Sequence, residues 1–143
     1  MAECKSYRIV EEMPGSIHDI VGLIRDIKAN YMGDKIFAWV EKVHAMPGNG
    51  VTSTWSFSGN FHTLLTSLAA ADIPYDFVTP QKWQKELCGG PKAKDMPKPK
   101  WKDKLLDDAK RLFPCEFVGL NKGQSLKICD ALLILEWVKR FAS

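Results

Sequence analysis

Long apolar runs are missing from this chain. None approaches the roughly 20 residues that a membrane-spanning helix needs, and the cluster Ala131-Leu132-Leu133-Ile134-Leu135 lies in an amphipathic segment. The opening Met1-Ala2-Glu3-Cys4-Lys5 has no apolar signal-peptide core. Cysteines are few and scattered, at positions 4, 88, 115 and 129, with no Cys-x-x-Cys spacing, which argues against a zinc site or a disulfide framework. No stretch repeats, and no break in composition marks a second domain. These absences predict a single domain over 1–143 in a reducing, cytoplasmic setting, away from membranes. At 143 residues it is long enough to bury a real core.

What is present centres on Ile36-Phe37-Ala38-Trp39-Val40, an apolar run without alternation that ends at Glu41. Such a run predicts a strand buried on both faces. Ligands of open α/β sheets bind outside the carboxyl ends of the strands, so a carboxylate emerging there is placed for chemistry. Glu41 is equally readable as the first solvated residue after a core strand. His44, in the loop that leads to Pro47-Gly48-Asn49-Gly50, could meet a phosphate or help to fix that turn.

Charge is concentrated. Lys92, Lys94, Lys98, Lys100, Lys102 and Lys104 stand against only Asp95 and Asp103, a local excess of four in a chain whose net charge is +3. The segment 89–102 therefore predicts a basic, proline-containing loop that could follow a phosphate backbone, with Trp101 stacking on a base or sugar. Alternatively the loop is a solvated connection and Trp101 is the first anchor of the next helix.

In chain order, the residues around Tyr7-Arg8-Ile9-Val10-Glu11 read as a short strand. Ser16 with Asp19 predicts a helix start, and Ile17, Ile20, Val21, Ile24 and Ile27 recur at helical spacing. Phe57, Phe61, Leu64, Leu65 and Leu68 mark a second helix before Pro74, and a strand is expected over 75–78. Thr79-Pro80 predicts a helix start, with Trp83 and Leu87 one turn apart and Gly89-Gly90 as the stop. Trp101, Leu105, Ala109 and Leu112 define a further helix, and the last is expected after Ser125, running to 141. Asp130 then shares a face with Leu126, Leu133, Ile134 and Trp137. A carboxylate there needs a partner: either a divalent cation shared with Glu41, or an ion pair with Lys127, Lys42 or an arginine.

Several ordered motifs resemble the RuvC-type Holliday-junction resolvases, especially phage-like members. They are Val40-Glu41-Lys42-Val43-His44-Ala45-Met46-Pro47-Gly48 with Gly50, Ser56-Phe57, Ile73-Pro74-Tyr75, Val78-Thr79-Pro80-Gln81-Lys82-Trp83-Gln84, Arg111-Leu112-Phe113-Pro114 and Asp130-Ala131-Leu132-Leu133-Ile134. The resemblance implies an α/β, RNase H-like mixed sheet flanked by helices. It also implies a dimer that cuts branched DNA with Mg²⁺ or Mn²⁺, in a bacterial or phage-infected cell. By position, Glu41 matches the strand-end glutamate and Asp130 an acidic residue of the last helix, both catalytic and metal-binding. His44, Lys92, Lys94, Lys98, Lys100, Trp101 and Lys102 are the expected nucleic-acid contacts.

Family members open with a strand that carries a metal-bridging Asp, and no such strand is found here. The sequence thus predicts an N-terminally truncated version with about three strands. Two functions follow: a metal-dependent, structure-selective endonuclease, weak or inactive for want of that carboxylate; or a catalytically degenerate relative that binds nucleic acid or a protein partner. The unpaired edge of the 36–41 strand further predicts cover by the residue 7–11 strand or by a second copy of the chain.

Overall fold

The computed structural model describes residues 12–43, 50–90 and 92–142, and the expected strand near the amino terminus lies outside them. The element order is α1 (Ile17–Asn30), β1 (Ala38–Glu41), α2 (Val51–Ala70), β2 (Tyr75–Val78), α3 (Pro80–Cys88), α4 (Lys98–Leu112) and α5 (Lys122–Trp137). A 3-10 turn, Pro114–Phe117, and a π-helical turn, Val138–Ala142, follow α4 and α5. The chain forms a mostly helical α/β fold divided into two compact units: residues 13–86, and residues 87–142 with Glu12. No described helix is long and apolar enough to cross a membrane.

The first unit is built on a β-α-β crossover. Ser16 caps α1, accepting from the Asp19 backbone N–H at 3.1 Å while its hydroxyl donates to Asp19 Oδ2 at 2.6 Å. Strands β1 and β2 run parallel, in register Ala38↔Tyr75, Trp39↔Asp76, Val40↔Phe77 and Glu41↔Val78; parallel strands need a long connection, and the 20-residue α2 supplies it. Ile24, Val40, Leu68 and Ile73 form the core, with Phe61, Leu64, Leu65 and Phe77 packed against it. Each such aliphatic side chain, fully buried, contributes roughly 1.5–3 kcal/mol.

The end of α2 is a left-handed turn. Asp72 takes φ +53°, the Asp72 N–H donates to Ala69 O at 3.1 Å and the Ile73 N–H donates to Leu68 O at 2.9 Å. This is the paired-bond helix stop usually made with glycine. It returns Ile73 to the core beside Leu68.

The expected doubly buried strand is a correction. Phe37 is 53% exposed, and within β1 only Val40 is buried. The sheet has two described strands, and it is α1 and α2 that supply the core side chains around Val40. An unbroken apolar run therefore does not mark two covered faces here.

In the second unit, Trp101, Leu105, Leu106 and Ala109 are the buried face of α4, which packs against α5. The basic segment is also corrected: Lys98, Lys100 and Lys102 belong to the first turns of α4 rather than to a loop. Pro97 and Pro99 sit where prolines start helices. Helix α5 begins earlier than Ser125. Asn121 caps it reciprocally with Gln124, through bonds of 2.9 and 3.0 Å, which leaves Ser125 buried in the helix.

Candidate functional site

Glu41 closes β1, as expected from the run that precedes it. The Lys42 N–H donates to Val78 O at 2.8 Å, so the carboxyl ends of both strands are tied where α3 begins. Thr79 caps α3, its hydroxyl accepting from the Lys82 N–H at 3.3 Å. Helical side chains lean toward the amino terminus of their helix, and the Trp83 indole reaches back from α3 to donate from Nε1 to Glu41 Oε1 at 2.9 Å. Trp83 is fully buried and Glu41 half-buried. The carboxylate is thereby held by an indole 42 residues away in sequence.

Asp130 lies on the second unit and is exposed. The buried stripe of α5 is Ser125, Cys129, Leu132, Leu133, Ile134, Glu136 and Trp137, so the expected Asp130 face is rotated by about one residue, or 100°. Protein packed around its carboxyl raises the pKa by desolvation, and the Lys102 ammonium opposes this in part. Lys127, considered as its partner, instead pairs with Glu12 at 2.7 Å. The buried acid of α5 is Glu136. Burial alone would raise its pKa, but a 2.7 Å hydrogen bond from Arg140 and the charge of Lys139 outweigh that and hold it below the ordinary range.

The lysines divide into two sets. Lys92 donates to Met96 O at 2.6 Å and Lys104 to Cys88 O at 2.8 Å, so both staple the backbone. Lys94, Lys98, Lys100 and Lys102 are exposed and make no ion pair among the described residues. Lys98 and Lys102 stand one turn apart on the same face of α4. Trp101 is only 8% exposed and carries the Lys104 ammonium 5.1 Å from its ring centre. It serves as the first anchor of α4, and the stacking role considered from sequence is not available to it as placed. His44 lies outside the described residues.

Sequence reasoning missed Trp83 as a site residue, reading it only as an apolar helix position. Its signal was weak: a tryptophan just inside Thr79-Pro80, in a helix that starts at the end of a strand. Among the described residues no group of three or more His, Cys, Asp or Glu side chains could hold a metal ion. Glu41, half-buried and oriented at a strand end, has the chemistry to serve one Mg²⁺ that is also held by water and phosphate; the described donors do not assemble a two-metal clamp.

The architecture defines an α/β chain with a RuvC-like fold. Among solved structures it is similar to RuvC from Thermus thermophilus, 10% identical, with a TM-score of 0.59 over 88% of this chain and 69% of that one. No family model matches the sequence, and no curated protein matches it.

Proposed function

We propose that this chain binds branched DNA as a resolvase-like, structure-selective endonuclease dependent on Mg²⁺ or Mn²⁺. The observation that carries the reading is the RuvC-like fold with Glu41 at the carboxyl end of β1. Lys94, Lys98, Lys100 and Lys102 engage phosphates. Glu41 and, by the family resemblance, Asp130 are the carboxylates that would serve a cation. When bound, such an ion activates water and stabilises the leaving oxygen of a phosphodiester. The residues themselves do the rest: the lysines draw in and hold the backbone, and Trp83 holds the Glu41 carboxylate in place. Homodimer formation, as the resemblance implies, would present two copies of these groups to paired strands.

A second reading, binding without cleavage, is favoured by Lys102, whose ammonium already acts on Asp130, and by the lack of a three-donor group among the described residues. One experiment separates the two. Fluorescence anisotropy compares a four-way junction with linear duplex at several salt concentrations, alongside cleavage assays with Mg²⁺ and Mn²⁺. The junction is expected to bind more tightly, and replacing Lys98, Lys100 and Lys102 by Ala should reduce the slope of log K against log salt by about 3 if each lysine meets one phosphate. Cleavage that vanishes in Glu41→Gln and in Asp130→Asn establishes the nuclease. Junction binding without cleavage establishes the second reading, and equal binding of junction and duplex, unchanged in the triple variant, removes both.

A further inference from the structure

An indole that stacks on a base must keep a ring face open to solvent, which Trp101 does not do. Trp55 does. It is 81% exposed, and it makes no ring contact or hydrogen bond among the described residues. Tryptophan is highly buried on average, so an open indole on a regular helix calls for a ligand. A row of rings in the first unit sets its position. Phe61 stacks on Phe77 with centroids 6.1 Å apart, and Phe57 on Phe61 at 6.5 Å. Phe77 is the next-to-last residue of β2, so residue 61 is level with the carboxyl end of the sheet. Helix α2 runs back from the end of β1 to the start of β2 and rises about 1.5 Å per residue. Trp55, six residues before Phe61, therefore stands about 9 Å further along the helix axis, beyond that end. Lys42 is at the same end: it is exposed, its ammonium lies 5.6 Å from the Phe77 ring centre, and it makes no ion pair among the described residues.

We infer that Trp55 stacks on an unstacked nucleobase of the DNA, while Lys42 and the hydroxyls of the first turns of α2 meet the phosphates and sugars beside it. The inference rests on the reading of the chain as a binder of branched DNA, and it names what tells a branch from a duplex. Thr52, Ser53, Ser56 and Ser58 are all exposed around the indole. Hydroxyls and lysines are groups that contact phosphate and sugar, whereas a surface that docks protein is a contiguous apolar patch. Every base presents a π-face to an aromatic side chain, so the contact asks only that the face be free, whatever the sequence. Inside a duplex each face is covered by the neighbouring base. A branch or a single strand uncovers one, and phosphate contacts alone do not register the difference.

The test uses the full chain, wild type, Trp55→Ala and Trp55→Phe. Alanine is the best helix former and the indole is outside the core, so both variants should fold, as circular dichroism confirms. Fluorescence anisotropy gives the affinity of each protein for a four-way junction and for a linear duplex of the same composition. A second junction carries 2-aminopurine at the branch point, whose emission reports a change in its stacking. The expected result is junction affinity at least about fivefold weaker in Trp55→Ala, with duplex affinity unchanged and most of the loss restored in Trp55→Phe. The 2-aminopurine emission should change on binding the wild type and not on binding Trp55→Ala. If Trp55→Ala keeps the wild-type preference for the junction, or loses junction and duplex alike, the stacking role is overturned and the reading of the chain as a binder of branched DNA survives. If the wild type does not prefer the junction, that reading fails and the stacking role fails with it. Sedimentation of the free proteins supplies the remaining outcome: a wild-type dimer that becomes a monomer in Trp55→Ala would place the indole between two copies of the chain and overturn the inference.

Discussion

The Lys104 ammonium donates to Asp108 Oδ2 at 3.0 Å, one turn along α4, while its other bond goes to Cys88 O at 2.8 Å. Arg111 reaches the second oxygen of Asp108 at 3.2 Å. Burial alone would raise the Asp108 pKa, but these hydrogen bonds and charges outweigh it and hold the carboxyl below the ordinary range. A depressed acid contributes stability that is fully present above its unfolded pKa and is lost as pH falls through the folded one. Asp108→Asn should therefore cost about 1 kcal/mol near neutral pH, limited by the exposure of both cations. The gap should close at pH values below the aspartate range, as read by urea denaturation across pH.

Asp72 adopts a backbone conformation that disfavours a Cβ by about 1–2 kcal/mol. Asp72→Gly removes that strain but adds about 0.5–1 kcal/mol of chain entropy to be lost on folding. A net gain of about 0.5 kcal/mol is expected by these figures. Asp72→Val should lose about 1–2 kcal/mol, because a branched side chain fits this region worst. The urea midpoints of the three proteins, measured together, should fall in the order Gly, Asp, Val.

Removing the Glu41 side chain strands the buried Trp83 N–H. Glu41→Ala is expected to destabilise the fold by about 1–3 kcal/mol. Glu41→Gln keeps an oxygen acceptor in the same place and should cost less than about 1 kcal/mol. Equal losses in thermal melts of the two variants would show that the indole is satisfied by another group.

Thiol reactivity should be sharply divided. Burial pushes the Cys88 thiol up to about 11, with Asp108 adding to the effect against Lys104 and Arg111. Burial pushes Cys129 up to about 12, assisted by the negative charge of Asp130. Cys115 is exposed. Since the thiolate is the reactive form, iodoacetamide at pH 8 should label Cys115 quickly, and Cys88 and Cys129 only after denaturant is added. Peptide mass mapping against time reads this directly.

The parts of the fold that could be read from sequence were those governed by neighbours a few residues away. Ser16 with Asp19, Thr79 with Pro80, and the glycine pair after Cys88 each act within one turn, and each does what its residue type permits. Gly89 and Gly90 take φ +81° and +132°. Asn121 and Gln124 were equally local, but the following Ser125 offers a competing cap, and only packing decides that it lies inside the helix.

The phase of α5 was harder. Leu132, Leu133, Ile134 and Leu135 are apolar on every side, so their pattern does not say which edge is buried, and a shift of one residue takes Asp130 off the buried stripe and brings Glu136 onto it. Glu136 escaped notice because the cation that makes its burial tolerable, Arg140, follows on the next turn and looks like an ordinary surface residue. The bond from Trp83 to Glu41 spans two elements, and nothing in either local pattern announces it.

Helix α2 carries a mechanical asymmetry. Its last turns contribute Ser67 and Leu68 to the interior, whereas Val51 and Trp55 are 86% and 81% exposed and Gly50 offers no side-chain cap. With few buried contacts, the first two turns have little to resist local opening. Fraying should begin at Val51 and stop near Phe61, where the side chain meets Phe77. A protease cutting after aromatic residues would then find Trp55 well before the remainder of the helix, and the first cleavage would leave the core around Leu68 standing.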